Sequence, residues 1–332
     1  MIRYVFFRLP AAALIAAGAL NAGGSAALAQ SKVVVRTDYR FNGYVAPLVL
    51  AIDKGFYKAA GFDVSIEQGQ GSSTTIQTVA SGVDNFGLAD AATAAIAISS
   101  QSVPVKVVAD YCQTATMGLI YHPDQDFKGN LSELKGKIII SSAGTADAKL
   151  LEPTLAIGGM TLDDVRLQLV DLNARVPLFL QTPGSFQTGF ATGDLLRVRA
   201  RLPGAKYVPY AKYGLVAYGI GLIAPTATIA KSPELVKKFV AASQRGWEGA
   251  AKDPDAAVSA ALKFYPDLSR DFLLEGLKIT LADQVHTPST VGHPIGWMAE
   301  EDWKKTLDVL SKFSGLTPKD LSAYYTNQFI VE

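Results

Sequence analysis

Short segments in which apolar and polar residues alternate are interspersed with longer segments whose apolar residues recur every three or four positions. The first pattern predicts β-strands and the second predicts amphipathic helices. In the first part of the chain, strands are predicted at 33–37, 62–66, 85–88 and 105–109, and helices at 47–60, 73–81 and 91–99. Strands that alternate with helices favour an α/β fold, with mainly parallel sheets and helices on both faces.

The same order of elements begins again after the polar segment HPDQDFKGNLSELKGK. A strand is predicted at 137–140, a helix that bends near Pro153 at 146–157, and strands at 166–170 and 207–209. The chain then crosses back at 216–224, and helices are predicted at 233–252, 254–265, 270–279, 300–313 and 318–324. We therefore predict two lobes. Residues 30–120 and 219–332 form lobe 1, and the inserted residues 121–218 form lobe 2.

Each half of the chain has a strand followed by a loop of glycine and hydroxyl residues and then by a helix. The residues of these loops are Gly71, Ser72 and Ser73 in the first half, and Ser142, Gly144 and Thr145 in the second. A helix start after a glycine presents free backbone N–H groups that can bind a polar ligand, and Ser72 or Ser73 is the expected N-cap. In parallel sheets, ligands bind beyond the carboxyl ends of the strands. We therefore expect the two loops to face each other across a cleft.

Aromatic residues follow the first predicted strand in the segment RTDYRFNGY. Tyr39 and Tyr44 are predicted to stack on a planar ligand, whereas at least one aromatic residue of this segment is expected in the core. Asp90 stands at a helix start, where it either caps the helix or accepts a hydrogen bond from a ring amino group. The remaining candidate ligand contacts are Asn42, Thr188 and Gly189.

The N-terminal residues 1–29 have the pattern of a secretory signal peptide. Two arginines precede a short apolar run that ends in Ala27-Leu28-Ala29, so cleavage is expected after Ala29. The remaining 303 residues then carry a formal charge of about −1, which gives no support to nucleic-acid binding. Cys112 is the only cysteine, which excludes an internal disulfide and argues against a cysteine-based metal cluster.

The sequence contains no recognisable catalytic signature. Neither a Gly-x-Ser-x-Gly motif nor a Walker-type phosphate loop occurs, and no two of the three histidines have the spacing of a helical zinc site. The segment Gly219–Ala224 imitates a dinucleotide-binding motif, but Pro225 follows where a helix should start, so a strand is predicted there. We therefore predict a protein that is not an enzyme and that needs neither a cofactor nor a metal.

The segment YVAPLVLAIDKGFYKAAGFDVSIEQGQGSSTTIQTVASGVDNFGLAD resembles the NMT1/THI5-like group of periplasmic binding proteins. These proteins are the solute receptors of ABC importers and are relatives of the taurine, alkanesulfonate and nitrate receptors. The segments LSELKGKIIISSAG, FVAASQRGWEGAAKDPDAAVSAALKFYPD and WKKTLDVLSKFSGL are similar to later parts of the same family. The resemblance covers nearly all of the chain after the signal peptide and is weakest between residues 170 and 207.

The resemblance implies a two-lobed periplasmic-binding-protein fold of type II, with a ligand cleft between the lobes. It also implies a periplasmic monomer that delivers its ligand to an inner-membrane permease and its ATPase. The expected ligand is a planar heteroaromatic compound, such as a thiamine-precursor pyrimidine or a riboflavin-like molecule. Tyr39 stands where pyrimidine binders often have Trp, and Val45 stands where many have His, so other aromatic ligands remain open.

Two alternatives to a heteroaromatic receptor follow from the same resemblance. One is a receptor for an alkanesulfonate, taurine, nitrate or another small anion. The other is a pyrimidine-synthesising enzyme of the same fold. The fungal enzymes carry a cysteine-rich iron motif, whereas this chain has Cys112 alone, which argues against the enzyme.

Overall fold

Two five-stranded sheets form the framework of the chain in a computed structural model that describes residues 30–332. The predicted signal peptide and its cleavage site lie outside the described residues. The first sheet has the order β2-β1-β3-β10-β4 and the second has the order β7-β6-β8-β5-β9. The strands of the first sheet are β1 (Ser31–Arg36), β2 (Phe62–Glu67), β3 (Phe86–Asp90), β4 (Val105–Cys112) and β10 (Ile220–Pro225). Those of the second are β5 (Met117–Tyr121), β6 (Ile138–Ser141), β7 (Arg166–Leu169), β8 (Phe186–Phe190) and β9 (Lys206–Pro209).

Each sheet combines parallel pairs with one strand that runs the opposite way. In the first sheet, β1 pairs in parallel with β2 and β3, whereas β10 is antiparallel to β3 and β4. In the second sheet, β6 pairs in parallel with β7 and β8, whereas β5 is antiparallel to β8 and β9. The α/β prediction of two sheets covered by helices is confirmed.

The chain crosses between the two sheets twice. The first crossing lies between β4 and β5, and the second lies between β9 and β10. The predicted boundary at residue 120 places most of β5 in lobe 1. In the structure, β5 hydrogen-bonds to β8 and β9 and therefore belongs to the second sheet. Below, lobe 1 denotes the part that carries the first sheet and lobe 2 the part that carries the second.

Thirteen helices of the described chain surround the two sheets. The first lobe begins with α1 (Ala46–Asp53), α2 (Phe56–Ala59), α3 (Ser72–Ala80) and α4 (Ala91–Gln101). The second contains α5 (Ala146–Lys149), α6 (Leu151–Ile157), α7 (Arg175–Gln181) and α8 (Asp194–Arg199). After the second crossing come α9 (Thr226–Lys231), α10 (Pro233–Lys252), α11 (Pro254–Phe264), α12 (Arg270–Asp283) and α13 (Glu300–Ser314). Of the elements within residues 170–232, the pattern did not predict β8, α7, α8 and α9.

Two predicted helices are divided, and local sequence explains both breaks. The helix expected at 47–60 separates into α1 and α2 at Gly55, whose φ of 70° lies in the left-handed region. The helix expected at 146–157 separates into α5 and α6, with the break at Leu150. This break confirms the predicted bend near Pro153. Pro153 has no N–H to donate to the carbonyl of Lys149, and its ring would collide with that carbonyl in a continuous helix. The helix expected at 318–324 is only a short 3₁₀ turn at Leu321–Ala323.

The core of lobe 1 is built on aromatic side chains between the first sheet and α10. Phe239 of α10 stacks on Phe86 at 4.1 Å between ring centroids and on Tyr57 at 4.9 Å. Trp247, which lies further along the same helix, stacks on Tyr111 with 5.2 Å between the ring centroids. None of the helices described between residues 30 and 332 has the length and hydrophobicity of a membrane-spanning segment. This packed core holds the strand ends that carry the site.

Candidate ligand-binding site

Four buried aspartates lie at the carboxyl ends of parallel strands, where the two lobes meet. Asp38 follows β1 and Asp90 ends β3 in lobe 1, while Asp147 follows β6 and Asp194 follows β8 in lobe 2. All four are at most 5% exposed. The carboxyl ends of parallel strands share one edge of a sheet, so these positions bring the acids together at the junction between the lobes.

Two small cavities, each of about 10 Å³, lie between the lobes. Both are lined by Asp38, Tyr39, Phe190 and Asp194, which come from both lobes. The first inner cavity is further lined by Gly71, Ser72, Thr145, Ala146, Asp147 and Arg175. The second inner cavity is further lined by Asn42, Tyr44, Cys112, Thr192, Gly193, Ile220 and Gln284. Each cavity has room for about one water molecule, so a ring could enter only after the lobes separate.

Arg175 joins two of the acids in a buried ionic network. Its Nη1 donates to Asp147 Oδ2 at 2.7 Å and its Nη2 lies 2.9 Å from Asp194 Oδ1. Burial by itself would raise the pKa of Asp194, but the charges of Arg175 and Arg197 hold this pKa below its usual value. Asp194 therefore stays ionised in the cleft.

Asp38 has a different environment from Asp194. Its carboxylate accepts a hydrogen bond from the Tyr44 hydroxyl. Burial, together with the nearby charges of Asp147 and Asp194, raises the pKa of Asp38 to about 7, although the Tyr44 hydrogen bond acts in the opposite direction. The protonation state of Asp38 thus responds to pH near neutrality.

Tyr39 of lobe 1 contacts lobe 2, and it lines both inner cavities as well as a larger groove. Its hydroxyl donates to Asp194 Oδ1 at 3.1 Å. The guanidinium carbons of Arg175 and Arg197 lie 5.8 Å and 5.2 Å from its ring centroid, within the range of cation–π attraction. Tyr39 and Arg197 also line an outer groove of about 700 Å³, together with Phe272 and other residues of both lobes. Two guanidinium groups therefore lie close to the ring on which a planar ligand is predicted to stack.

The two glycine and hydroxyl loops meet where the lobes adjoin. Ser73 N donates to Gly144 O at 3.1 Å. A β-carbon at Gly71 would lie 2.7 Å from the same oxygen, so only glycine allows this approach. Gly71, with a φ of 120°, is also the N-cap residue of α3, which corrects the expectation of a serine cap at Ser72 or Ser73. The Ser72 hydroxyl instead accepts from Asp90 N at 3.1 Å.

Asp90 acts as a helix cap, which was one of its two predicted roles. Its Oδ1 accepts from Thr93 N at 2.6 Å, and burial raises its pKa to about 7. Its Oδ2 has no hydrogen-bond partner within residues 30–332. Asp90 does not line either inner cavity as they stand, so the second role, contact with a ring amino group, stays a prediction.

The structure brings about half of the predicted site residues to the inner cavities. Those that line them are Tyr39, Asn42, Tyr44, Gly71, Ser72 and Thr145. Ser73 and Gly144 meet each other, while Thr188 bonds to Ser141 at 2.7 Å inside the second sheet. Gly189 lies directly against Asp194, since a β-carbon added at Gly189 would be 2.7 Å from the Asp194 β-carbon. Ser142 is buried.

The sequence analysis did not name the charged and aromatic residues Asp38, Asp147, Arg175, Phe190 and Asp194 as parts of the site. A usable signal existed for the acids. Asp38 directly follows a predicted strand, in the segment RTDYRFNGY, and Asp147 stands in the first turn of the helix predicted after the second loop, both at strand ends where ligands bind. Arg175 and Phe190 fall in the region where strands and helices were not recognised, so their sequence positions carried no such signal.

Comparison with known proteins places this geometry in context. The family model described as "NMT1/THI5 like" matches residues 42–257. The riboflavin-binding protein RibY of Chloroflexus aurantiacus is 27% identical, over 97% of this chain and 91% of the relative. The 4-amino-5-hydroxymethyl-2-methylpyrimidine phosphate synthase of Aspergillus parasiticus is 22% identical, over 91% of this chain and 88% of the relative.

Solved structures share the fold at low sequence identity. The alkanesulfonate-binding protein SsuA of Xanthomonas axonopodis pv. citri, solved with MOPS, superposes with a TM-score of 0.68. It is 12% identical, and the match covers 90% of this chain and 100% of the other. The periplasmic-binding-protein fold expected from the resemblance is therefore confirmed.

Proposed function

Because this chain belongs to the NMT1/THI5-like family, we propose that it is the periplasmic solute-binding protein of an ABC importer and captures a small planar heteroaromatic compound. The observation that carries the proposal is a buried site built by both lobes, with Tyr39 and Phe190 lining both inner cavities. Two aromatic side chains at one interlobe site suit a planar ring, since stacking contributes roughly 0.5–1.5 kcal/mol beyond area burial. The relative RibY is named for riboflavin, a compound of this class.

The proposal includes the cellular setting. Secretion through the predicted signal peptide, with cleavage after Ala29, would place the mature monomer in the periplasm. There it would pass its ligand to an inner-membrane permease and the associated ATPase. The two crossings between the lobes suit this role, because hinge closure around a ligand is the usual working motion of two-lobed binding proteins.

The same proposal assigns binding without turnover. One relative is a pyrimidine phosphate synthase, so the fold itself does not separate the two activities. The support comes from the chain, which has Cys112 as its single cysteine, and from RibY, whose similarity spans almost the whole chain. Conversion of a pyrimidine or a vitamin B6 compound by the purified protein would contradict this assignment.

A thermal-shift screen of the chain from residue 30 onward tests the ligand class. The compounds are riboflavin, substituted pyrimidines, aromatic acids, taurine and alkanesulfonates. A ligand at 100 times its Kd adds about 2.7 kcal/mol to the free energy of unfolding. For a chain of this size this corresponds to a rise in Tm of roughly 3–6 °C. We expect that rise with a heteroaromatic compound and not with taurine.

The Tyr39→Ala variant tests whether the aromatic site is the one that responds. Loss of the stacked ring and its buried area should weaken binding by about 2–4 kcal/mol, roughly thirty- to several-hundred-fold. Tyr213→Ala is the matched control, because Tyr213 is a partly buried tyrosine that lines neither inner cavity. If only sulfonates or nitrate raise the Tm, and Tyr39→Ala still binds them, the heteroaromatic proposal is wrong.

A further inference from the structure

The side chain of Arg197 extends from lobe 2 onto lobe 1. Arg197 lies on α8, and its Nη2 donates to the backbone oxygen of Phe41 at 3.2 Å. Its guanidinium carbon lies 4.6 Å from the centroid of the Phe272 ring and 5.2 Å from the centroid of the Tyr39 ring. Phe41, Phe272 and Tyr39 all belong to lobe 1, so each of these three contacts joins the two lobes.

The Tyr39 ring, the Phe41 oxygen and the Phe272 ring together form what we call the Arg197 seat. This seat is anchored in lobe 1. Phe41 packs on Tyr265 with 4.0 Å between the ring centroids, and Phe272 stands in the first turn of α12. Movement of lobe 2 away from lobe 1 therefore takes Arg197 away from the whole seat.

The backbones of the two lobes also approach each other beside the seat. Gly276 lies one turn beyond Phe272 in α12, and a β-carbon there would be 2.9 Å from the backbone oxygen of Thr192 in lobe 2. Arg197, Tyr39 and Phe272 line the outer groove, and Tyr39 lines the inner cavities as well. Arg197 therefore binds lobe 1 at the entrance to the cleft.

The surroundings of the guanidinium strengthen its contacts with the seat. The Nη1 of Arg197 is buried and has no hydrogen-bond partner within residues 30–332. Cation–π attraction is strongest where the cation has lost water, and a hydrogen bond from a charged donor is stronger than one between neutral groups. The unpaired Nη1 acts in the opposite direction, because it regains water when the lobes separate. The balance of these effects allows Arg197 to hold the lobes together reversibly.

We propose that Arg197 is a latch that holds the two lobes closed without help from a ligand. Its three contacts with the seat exist only when the lobes are together, so they stabilise the closed arrangement alone. Arg197 is thus a positioning residue, which acts through the equilibrium between open and closed lobes. This equilibrium sets the fraction of molecules that can admit a ligand, whatever the chemistry of that ligand.

Hydrogen exchange resolved by residue, on the chain from residue 30 onward and without ligand, tests the latch. The Ser73 amide donates to Gly144 O in the other lobe, whereas the Thr75 amide donates to Gly71 O within lobe 1. The ratio of the Ser73 exchange rate to the Thr75 rate therefore reports separation of the lobes rather than fraying of α3. Arg197→Met keeps an apolar stem and removes the guanidinium. We expect this ratio to rise at least tenfold, a change of about 1.4 kcal/mol in closure.

Two further variants separate the latch from other roles of an arginine. Arg245→Met is the matched control, because the Arg245 guanidinium also lies over a ring, that of Phe56 at 3.8 Å, but both residues belong to lobe 1. It should leave the exchange ratio within twofold. Arg197→Lys keeps the positive charge that lowers the pKa of Asp194 but has no planar guanidinium to cover a ring. We expect the lysine variant to raise the ratio at least threefold.

The outcomes decide the proposal without reference to any ligand. A ratio within twofold of the unsubstituted chain in Arg197→Met, or an equal rise in Arg245→Met, overturns the latch. A ratio that is unchanged in Arg197→Lys also overturns it, because charge alone would then account for the effect. If circular dichroism shows that Arg197→Met does not fold, Phe272→Leu removes one ring of the seat instead. It should raise the ratio at least threefold, and a ratio within twofold there overturns the latch. Each result leaves the proposed function to its own test.

Discussion

Replacing Gly71 with alanine tests whether contact between the two loops controls closure of the lobes. A β-carbon at Gly71 would lie 2.7 Å from Gly144 O, about 0.7 Å less than the 3.4 Å at which ordinary contact begins. Relief of this overlap by separation of the lobes would lengthen the Ser73 N–Gly144 O hydrogen bond from 3.1 Å to roughly 3.8 Å, beyond the usual hydrogen-bond range. We therefore expect the alanine to oppose the closed state.

The magnitude follows from what the closed state loses. The net contribution of one such hydrogen bond is about 0.5–1.5 kcal/mol, and the residual overlap adds a comparable amount. Closure should become less favourable by about 1–3 kcal/mol, so the affinity for a ligand that binds the closed state should fall roughly five- to 150-fold. The φ of 120° at Gly71 also disfavours alanine, and this backbone strain should lower the free energy of unfolding in addition.

Hydrogen exchange and calorimetry measure the effect. The Ser73 amide should exchange faster in Gly71→Ala without any ligand, and calorimetry should show the loss of affinity. Gly82→Ala is the matched control, because Gly82 has a φ of 77° and no described atom within 4 Å of a β-carbon. It should lower the Tm through backbone strain and leave affinity unchanged. Unaltered Ser73 exchange together with an affinity within twofold of the unsubstituted chain would refute the closure argument.

Three further predictions concern the acidic network. Tyr39→Phe removes a donor from the Asp194 carboxylate, so chemical denaturation should show a loss of about 1.5–3 kcal/mol. Arg175→Met leaves Asp147 and Asp194 buried without their cation, and the free energy of unfolding at pH 7 should fall by about 3–5 kcal/mol; no change would contradict the network. For Asp38, the folded-state pKa of about 7 lies above the unfolded value near 3.9, so the folded chain binds the extra proton between these pH values. Stability should therefore decrease as pH rises from about 4 to 7, and Asp38→Asn should flatten that slope in a Tm series.

The local elements of this protein follow closely from its sequence. The helix predicted at 233–252 is observed as α10 (Pro233–Lys252), with proline in its first turn and an apolar stripe toward the core. The strand predicted at Gly219–Ala224 is observed as β10. Pro225 follows where a dinucleotide-binding motif would begin its helix, and this is why a strand was predicted there. Hydrophobic periodicity and turn residues act over a few positions, so they can be recognised without knowledge of the fold.

The region between residues 170 and 207 was poorly predicted, and the reason is physical. The helices α7 and α8 have seven and six residues, too short to show a helical period, and β8 holds Gln187 and Thr188 buried at its centre. Their positions depend on partners elsewhere, because β8 lies between β6 and β5 of the second sheet. Such elements are stabilised by tertiary packing more than by local preference.

The candidate site shows the same division. The order of residues was enough to predict two lobes, an aromatic contact at Tyr39 and two glycine loops at Gly71 and Gly144, because strand ends and glycine loops are local features. The tertiary fold, by contrast, brings Asp38 and Asp147 to one cavity between the lobes, and it lets Arg175 join Asp147 to Asp194, an acid 47 positions later in the chain. Charge interactions depend on distance in space and on exclusion of water, and neither quantity can be read from the order of residues.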